Sequence, residues 1–387
     1  MIRVRILTAV CLLSSSLCAK EFSRYPDLEK GWFGGEYVYW WIRNSPAPAP
    51  LVVSGPNVDE FAPVLDEPGT KVVLGDKSIP NGGRSGGRFF GGVWLDANNI
   101  FGLEASYLFL GKNTYKKSVS SNGLAGSSCL TFPFFNPVTG SESCAILAEE
   151  DLYSAKAVLK VKNSMQYADG NMLFQVLRNQ KGSNLVVLAG FLWWNLKENV
   201  IFTVDSPTVT PPLDIFMTED QFSVSNNFYG GQIGIDGSYL WDRFFLQGNV
   251  KLALGQMNGY LNIKGNLSTN NFDGYGSLQN FAAGYTAMAT NSGSSSKNKF
   301  SVIPQASLDL GYSVVDNVDL SIGYTFFYVT EVLFATSQID HTINPSQAPA
   351  ISNSSSLAVV GEARPERLFK TSQFWAQGIN ARMTIRF

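Results

Sequence analysis

Charge is what this chain has little of. Asp, Glu, Lys and Arg make up only 16% of its 387 residues, against 45% hydrophobic and 13% aromatic residues. That is too little charge to cover a soluble surface of this size, so many apolar side chains must face something other than water. Histidine is limited to His341, which lacks a second His or a Cys to support it as a metal ligand, and no metal site is expected. No phosphate-cradling Walker loop and no glycine pattern opening a dinucleotide-binding helix is present, so no cofactor is expected either. The formal charge of -2 contains no basic block, which sets aside nucleic acid and electrostatic attachment to anionic lipid. No segment beyond the N-terminus reaches the 18 or so consecutive apolar residues of a membrane helix.

What is present starts with an export signal. Arg3 and Arg5 precede an apolar stretch from Ile6 to Leu13 and small residues that end near Ala19, the pattern of a cleaved secretory leader over residues 1–19. Cleavage is expected between Ser16 and Ala19, and Cys18 lacks the small preceding residue of a lipoprotein site because Leu17 stands there. An exported, apolar chain without a helical span is either a secreted β-protein or a closed barrel, since only helices and closed barrels satisfy their backbone groups in lipid.

Periodicity favours the barrel. Phe101, Leu103, Ala105, Tyr107 and Phe109 alternate with Gly102, Glu104 and Ser106; Phe244, Leu246, Val250, Leu252 and Leu254 alternate with Gln247, Asn249 and Lys251. The same period of two runs through Phe300–Val314, Val318–Tyr328 and Phe374–Phe387. Aromatics crowd the ends of the apolar faces, as with Tyr229 and Tyr239 around Ile233 and Ile235, which suits interfacial girdles.

Tight joints at Asp96–Asn99, Arg178–Ser183, Trp241–Asp242 and Val315–Asn317 alternate with long polar stretches at 44–85, 112–153, 205–221, 266–298 and 333–371. These are read as short periplasmic turns and long extracellular loops. The fold class is therefore all-β: a single antiparallel transmembrane barrel over residues 32–387, preceded by a periplasmic segment at 20–31. Ten strands are counted. The outward parity flips near Asn163–Gln166 and near Gly255–Gln256; if each flip is a β-bulge the count stays ten, and if each is a turn it becomes twelve.

Inward polar positions Glu104, Asp236, Gln247, Lys251, Gln305, Asp309 and Arg382 are the candidates to line a lumen. A barrel of this size leaves a narrow bore at most. Two readings therefore stand: a small porin for passive diffusion of small solutes, or a non-conducting structural or adhesive barrel acting through its outer loops. Gly83-Arg84-Ser85-Gly86-Gly87 has the spacing of a nucleophile elbow but leads into a strand, and His341 beside Asp340 sits in the last outer loop, so no catalytic residues and no enzyme activity are expected. Cys129 and Cys144 flank one turn-rich loop segment in an oxidising compartment, and a disulfide between them is expected.

The sequence also resembles a known family, the planctomycete-type outer-membrane β-barrel porins, family seven of that series. The resemblance runs from Gly31 to Phe387 through EYVYWW at Glu36–Trp41, PGTKVVLG at Pro68–Gly75, SGGRFFGGVWLD at Ser85–Asp96, GLEASYLFLG at Gly102–Gly111 and PFFNPVTG at Pro133–Gly140. It continues through NNFYGGQIG at Asn226–Gly234, GYTFFYVTEV at Gly323–Val332, QIDHTINPSQ at Gln338–Gln347 and FWAQGIN at Phe374–Asn380. It implies a bacterial outer-membrane location in contact with outer-membrane lipid. The ending on Phe387 is similar to the C-terminal recognition strand of outer-membrane proteins, which implies the barrel-assembly machinery as a partner.

Overall fold

The computed structural model describes residues 30–55, 62–178, 182–211, 213–270, 272, 276–352 and 360–387; the expected leader at 1–19 lies outside the described residues. The strands are β1 (Gly31–Ile42), β2 (Pro50–Gly55), β3 (Lys71–Gly75), β4 (Gly83–Trp94), β5 (Phe101–Ser121), β6 (Cys129–Asn136), β7 (Ser141–Ala148) and β8 (Ala155–Arg178). They continue with β9 (Ser183–Asp205), β10 (Phe216–Trp241), β11 (Phe244–Thr269), β12 (Gln279–Phe281), β13 (Gly293–Val315), β14 (Val318–Leu333) and β15 (Thr371–Arg386). Ten of them, β1, β4, β5, β8, β9, β10, β11, β13, β14 and β15, pair antiparallel in chain order, and β15 returns to β1. The sheet has no free edge, as lipid requires. The other sheet, ordered β3-β2-β6-β7, is made from the first two long loops.

The short ends of the strands meet in turns built by local chemistry. Asp96 accepts backbone N–H bonds from Asn98, Ile100 and Phe101 at 3.0, 2.8 and 2.7 Å, and Asn99 adopts φ 53°, a left-handed position that Asn tolerates well. Asp242, at φ 55°, turns β10 into β11 with only Arg243 beside it.

The wall is uneven in height. β1 and β4 have 12 residues each, enough to cross a membrane when tilted. β10 and β11 have 26 each and β8 has 24, so these strands run well past the bilayer. This accounts for the flips of parity. β8 and β11 are unbroken through both sites, so neither is a turn, and the count is ten. The side chains keep one alternation throughout, and it is the surroundings that change. On β11, outward Phe244, Leu246, Val250 and Leu252 are exposed to lipid, followed by outward Gln256, Asn258, Asn262 and Lys264; the inward side goes from Gln247 and Lys251 to buried Met257, Leu261, Ile263 and Leu267. β8 inverts in the same way, from outward Met172 and Phe174 to outward Lys162 and Lys160, with Leu159 and Val161 buried within. The lower tier is a membrane barrel with a polar interior, and the upper tier has the apolar-in, polar-out pattern of a water-soluble protein. A genuine register shift does lie at this level, on β5 between Leu110 and Asn113, opposite Met165 and Asn163.

The tall half of the wall gives the loop sheet something to pack on. Leu51, Val52, Phe132, Phe134 and Leu147 share one core with Leu159, Val161, Phe202, Phe222, Leu261 and Ile263 of the inner wall, and with Ile339, Ile343 and Phe369 of the last loop. The connections between barrel strands are consequently shorter than the composition suggested: 43–82, 122–154, 206–215, 270–292 and 334–370. Polar-looking segments such as 112–121 and 266–269 are strand.

The expected Cys129–Cys144 bridge is not formed, and both thiols are free. Cys144 pairs with Pro133 across the β6–β7 ladder. Cys129 is four residues further along β6, an offset of about 13 Å at ~3.3 Å per residue, far outside the Cα separation a disulfide spans.

Candidate functional site

The polar residues of the lower tier converge inside the barrel, and register places them. Glu36 on β1 is the direct partner of Arg88 on β4 and of Arg382 on β15, so three adjacent strands present Arg, Glu and Arg in one row. Glu36 Oε2 lies 3.6 Å from Arg88 Nη1 and 3.4 Å from Arg382 Nε, and Arg382 reaches on to Asp309 at 3.5 Å. Both guanidinium groups stack over Phe90, 5.9 and 5.4 Å from its centroid.

A second cluster crosses the bore. Lys251 projects from β11 to Asp169 on β8 at 2.9 Å and to Glu104 on β5 at 3.3 Å. Gly234 makes room for it, since a Cβ there would stand 3.0 Å from Lys251 Cγ. Asp169 also accepts bonds from Ser106, Asn171 and Gln232. Asp236 accepts from Gln247 through both oxygens at 3.0 Å and from Asn249 at 3.3 Å. Opposite charges and amide donors thus pair across the bore, the arrangement that makes buried ions tolerable, with Arg88 Nε and Asp309 Oδ1 left without a hydrogen bond among the described residues. They surround a cavity of about 280 Å³ bordered by Arg88, Glu104, Asp236, Lys251, Asp309 and Arg382. Gln305 lies in the wall beside Lys251 and Phe327.

Above this cavity the bore is filled by apolar side chains. Phe327 of β14 stacks on Tyr167 of β8, with centroids 5.8 Å apart and planes 3° from parallel, and lies 6.2 Å from Trp194 of β9. Trp194 in turn meets Phe374 of β15 at 5.5 Å. β8 and β9 stand across the barrel from β14 and β15, so rings from facing walls touch at the axis. Trp40, Leu108, Phe228 and Met257 complete the layer.

Higher still, buried polar groups pin the returning loops. Glu198 accepts bonds from Ser45 and from the Ala335 N–H, the latter at 2.7 Å; burial pushes its carboxyl up in pKa. Asp220 accepts N–H bonds from Tyr285, Thr286 and Ala287 at 3.1, 3.1 and 2.7 Å, and burial outweighs these donors and raises it to about 7. Asn226 both donates to and accepts from the backbone of Leu333.

The sequence reading named seven inward residues but missed Glu36, Arg88 and Asp169, which hold the two clusters together. Glu36 lies in period with Val38 and Trp40, and that alternation was the available signal. Ser85 points outward and bonds to the Tyr37 hydroxyl at 2.7 Å, whereas His341 pairs with Glu142 at 3.0 Å in the outer unit; each has a partner other than the other. Among the described residues no group of three or more metal-ligating side chains occurs. Phe387 is at the closing seam, where its N–H bonds to Gly31 O at 2.9 Å and its ring lies 6.3 Å from that of Phe33.

Among curated proteins no sequence matches the chain. Similar solved structures include the outer membrane protease OmpT from Escherichia coli, 10% identical, covering 95% of this chain and 99% of that one with a TM-score of 0.44. A Pseudomonas aeruginosa FadL homologue is 9% identical over 94% and 91% at 0.23, and the P. putida toluene transporter TodX is 7% identical over 94% and 91% at 0.21. Likenesses so distant carry no functional argument. The family described as "Putative beta barrel porin-7" matches residues 32–387, and with a closed ten-stranded barrel over the same span, the chain belongs to that family of outer-membrane barrels.

Proposed function

We propose that this barrel is closed to solutes and serves as a membrane-anchored support for its folded outer unit, with a structural or adhesive role at the cell surface. The family's porin description implies the other reading, a small channel for passive diffusion. The observation that favours closure is the contact of Phe327 with Tyr167 and Trp194 across the axis, continued upward by the loop sheet packed into the tall half-wall. A bore filled by side chains at native density leaves no continuous water path for ions. Inward charges that could line an aqueous path border the lower cavity, whereas those above the aromatic layer, Glu198 and Asp220, are buried against the returning loops.

Planar-bilayer recording on the refolded, full-length mature protein tests this. No conductance steps are expected from protein whose heat-modifiable gel migration shows it folded. Steady open-channel steps from such protein would overturn the proposal in favour of the diffusion channel.

A further inference from the structure

The sequence contains no basic block, yet the fold assembles one. Outward positions on β5, β8 and β9 just above the membrane carry Lys112, Lys116, Lys160, Lys162 and Lys197. Lys116 is the direct cross-strand partner of Lys160, and Lys162 is the partner of Thr114 and Asn199, one step from the Ser164–Lys197 pair. Like charges directly opposite each other in a sheet destabilise it unless something neutralises them. Among the described residues none of these five lysines has an ion-pair partner, and the first outward acids on β8, β9 and β10 are Asp205 and Glu219 at the outer rim.

Height places these lysines relative to the membrane. Tyr107, Ala168, Trp193 and Tyr229 are linked by register into one row, the outer aromatic girdle that marks the edge of the hydrocarbon. Lys197 follows Trp193 by four residues, about 13 Å of strand and roughly 10 Å of height at a tilt of ~40°, which is headgroup level. A shallow groove of about 900 Å³ opens here, with Lys112, Lys162 and Lys197 along it and Tyr107, Phe109 and Tyr260 at its margins. Asn195, Asn199 and Ser225 also line it and supply polar partners. The arrangement combines cations on aliphatic stems, polar donors beside them, and aromatic rings below at the acyl boundary. This matches a lipid with a large phosphorylated headgroup.

We infer that the outer face of β5, β8 and β9 is a binding site for a phosphorylated glycolipid of the outer leaflet, of the lipid A class. The inference relies on the outer-membrane placement of the barrel and is independent of whether the lumen conducts.

The test is native mass spectrometry of the detergent-solubilised mature protein titrated separately with lipid A, phosphatidylglycerol, phosphatidylcholine and inorganic phosphate. Lipid A is expected to bind best, and the combined variant Lys112→Gln, Lys162→Gln, Lys197→Gln to bind it about a hundredfold more weakly, each lysine near an anionic surface contributing roughly fivefold. The variant Lys71→Gln, Lys77→Gln, which removes charge from β3 and its loop, should bind as the parent does. A second measurement needs no variant: in nanodiscs containing lipid A, Lys112, Lys162 and Lys197 of the parent protein should be protected from amine-reactive labelling relative to phosphatidylcholine nanodiscs. Equal binding by parent and triple variant, equal binding of phosphatidylcholine, retention of inorganic phosphate alone at these lysines, or unchanged labelling would each overturn the inference.

Discussion

A charge moved along the outer face of β11 should report the two tiers directly. Outward positions recur every second residue, and at ~3.3 Å per residue and a tilt of ~40° each step climbs about 5 Å. Val250 lies midway between Phe244, near the periplasmic turn, and Gln256, which pairs with Tyr229 at the outer girdle. With Val250 at the midplane, Leu254 stands about 10 Å above it and Asn258 about 20 Å, beyond the half-thickness of the ~25 Å apolar band. Val250→Arg should therefore cost ~2–4 kcal/mol, Leu254→Arg about 1, and Asn258→Arg or Asn262→Arg close to nothing. The inner face should respond in the opposite sense. Leu261, fully buried, belongs to a water-soluble type of core, and Leu261→Ala should cost about 2–5 kcal/mol. The assay is reversible denaturant unfolding from lipid vesicles, followed by tryptophan fluorescence. If Asn262→Arg costs as much as Val250→Arg, the upper wall lies in lipid and the two-tier reading fails; if Val250→Arg is neutral, the lower wall is not in lipid.

Three further outcomes follow from the interior. Lys251→Met leaves Asp169 and Glu104 without their shared cation, so about 3–5 kcal/mol should be lost in the same titration; a loss under ~1 kcal/mol would show the cluster to be solvated. Asp220 is raised in the folded state to about 7, so its contribution to stability is full below the unfolded value near 3.8, declines as pH rises to about 7, and amounts to roughly 4 kcal/mol. Amides 285–287 should accordingly exchange faster at pH 8 than the intrinsic rate change explains, and Asp220→Asn should abolish that excess. Peptides carrying Cys129 and Cys144 from unreduced, unfolded protein should each be labelled by a thiol reagent, whereas in the folded protein Cys129, whose thiol burial pushes up to about 11, should react slowly; a linked pair of peptides would refute the register of β6 and β7.

The sequence displayed the membrane tier clearly because lipid outside and water or polar groups inside force alternate residues apart. Phe101–Phe109 and Phe300–Val314 state that rule residue by residue, and the turns at Asp96 and Asp242 punctuate it. The upper tier was hidden because its alternation has the opposite sense: Lys160 and Lys162 read as the inner side of a membrane strand when they are the wet outer side of a soluble wall. The loop sheet was harder still, since β2, β6 and β7 are short and owe their burial to contacts far away in sequence, such as Phe132 with Phe202 and Tyr285. The inward charges of the candidate site were visible one at a time. Their partnerships were not, because Glu36 meets Arg382 only through closure of the ring.

That closure also dictates the order in which the protein can be made. The seam joins Trp32 to Arg386 and Gly35 to Met383, strands separated by nearly the whole chain, and loop entropy makes such pairing the slowest to find by chance. While β15 is still unplaced, β1 offers a bare edge, Glu36 has one arginine in place of two, and Phe374 is missing from the stack around Trp194. Until the ring closes, that edge must be kept from pairing with other molecules. The charge row and the aromatic layer are therefore both complete only when the first and last strands have found each other.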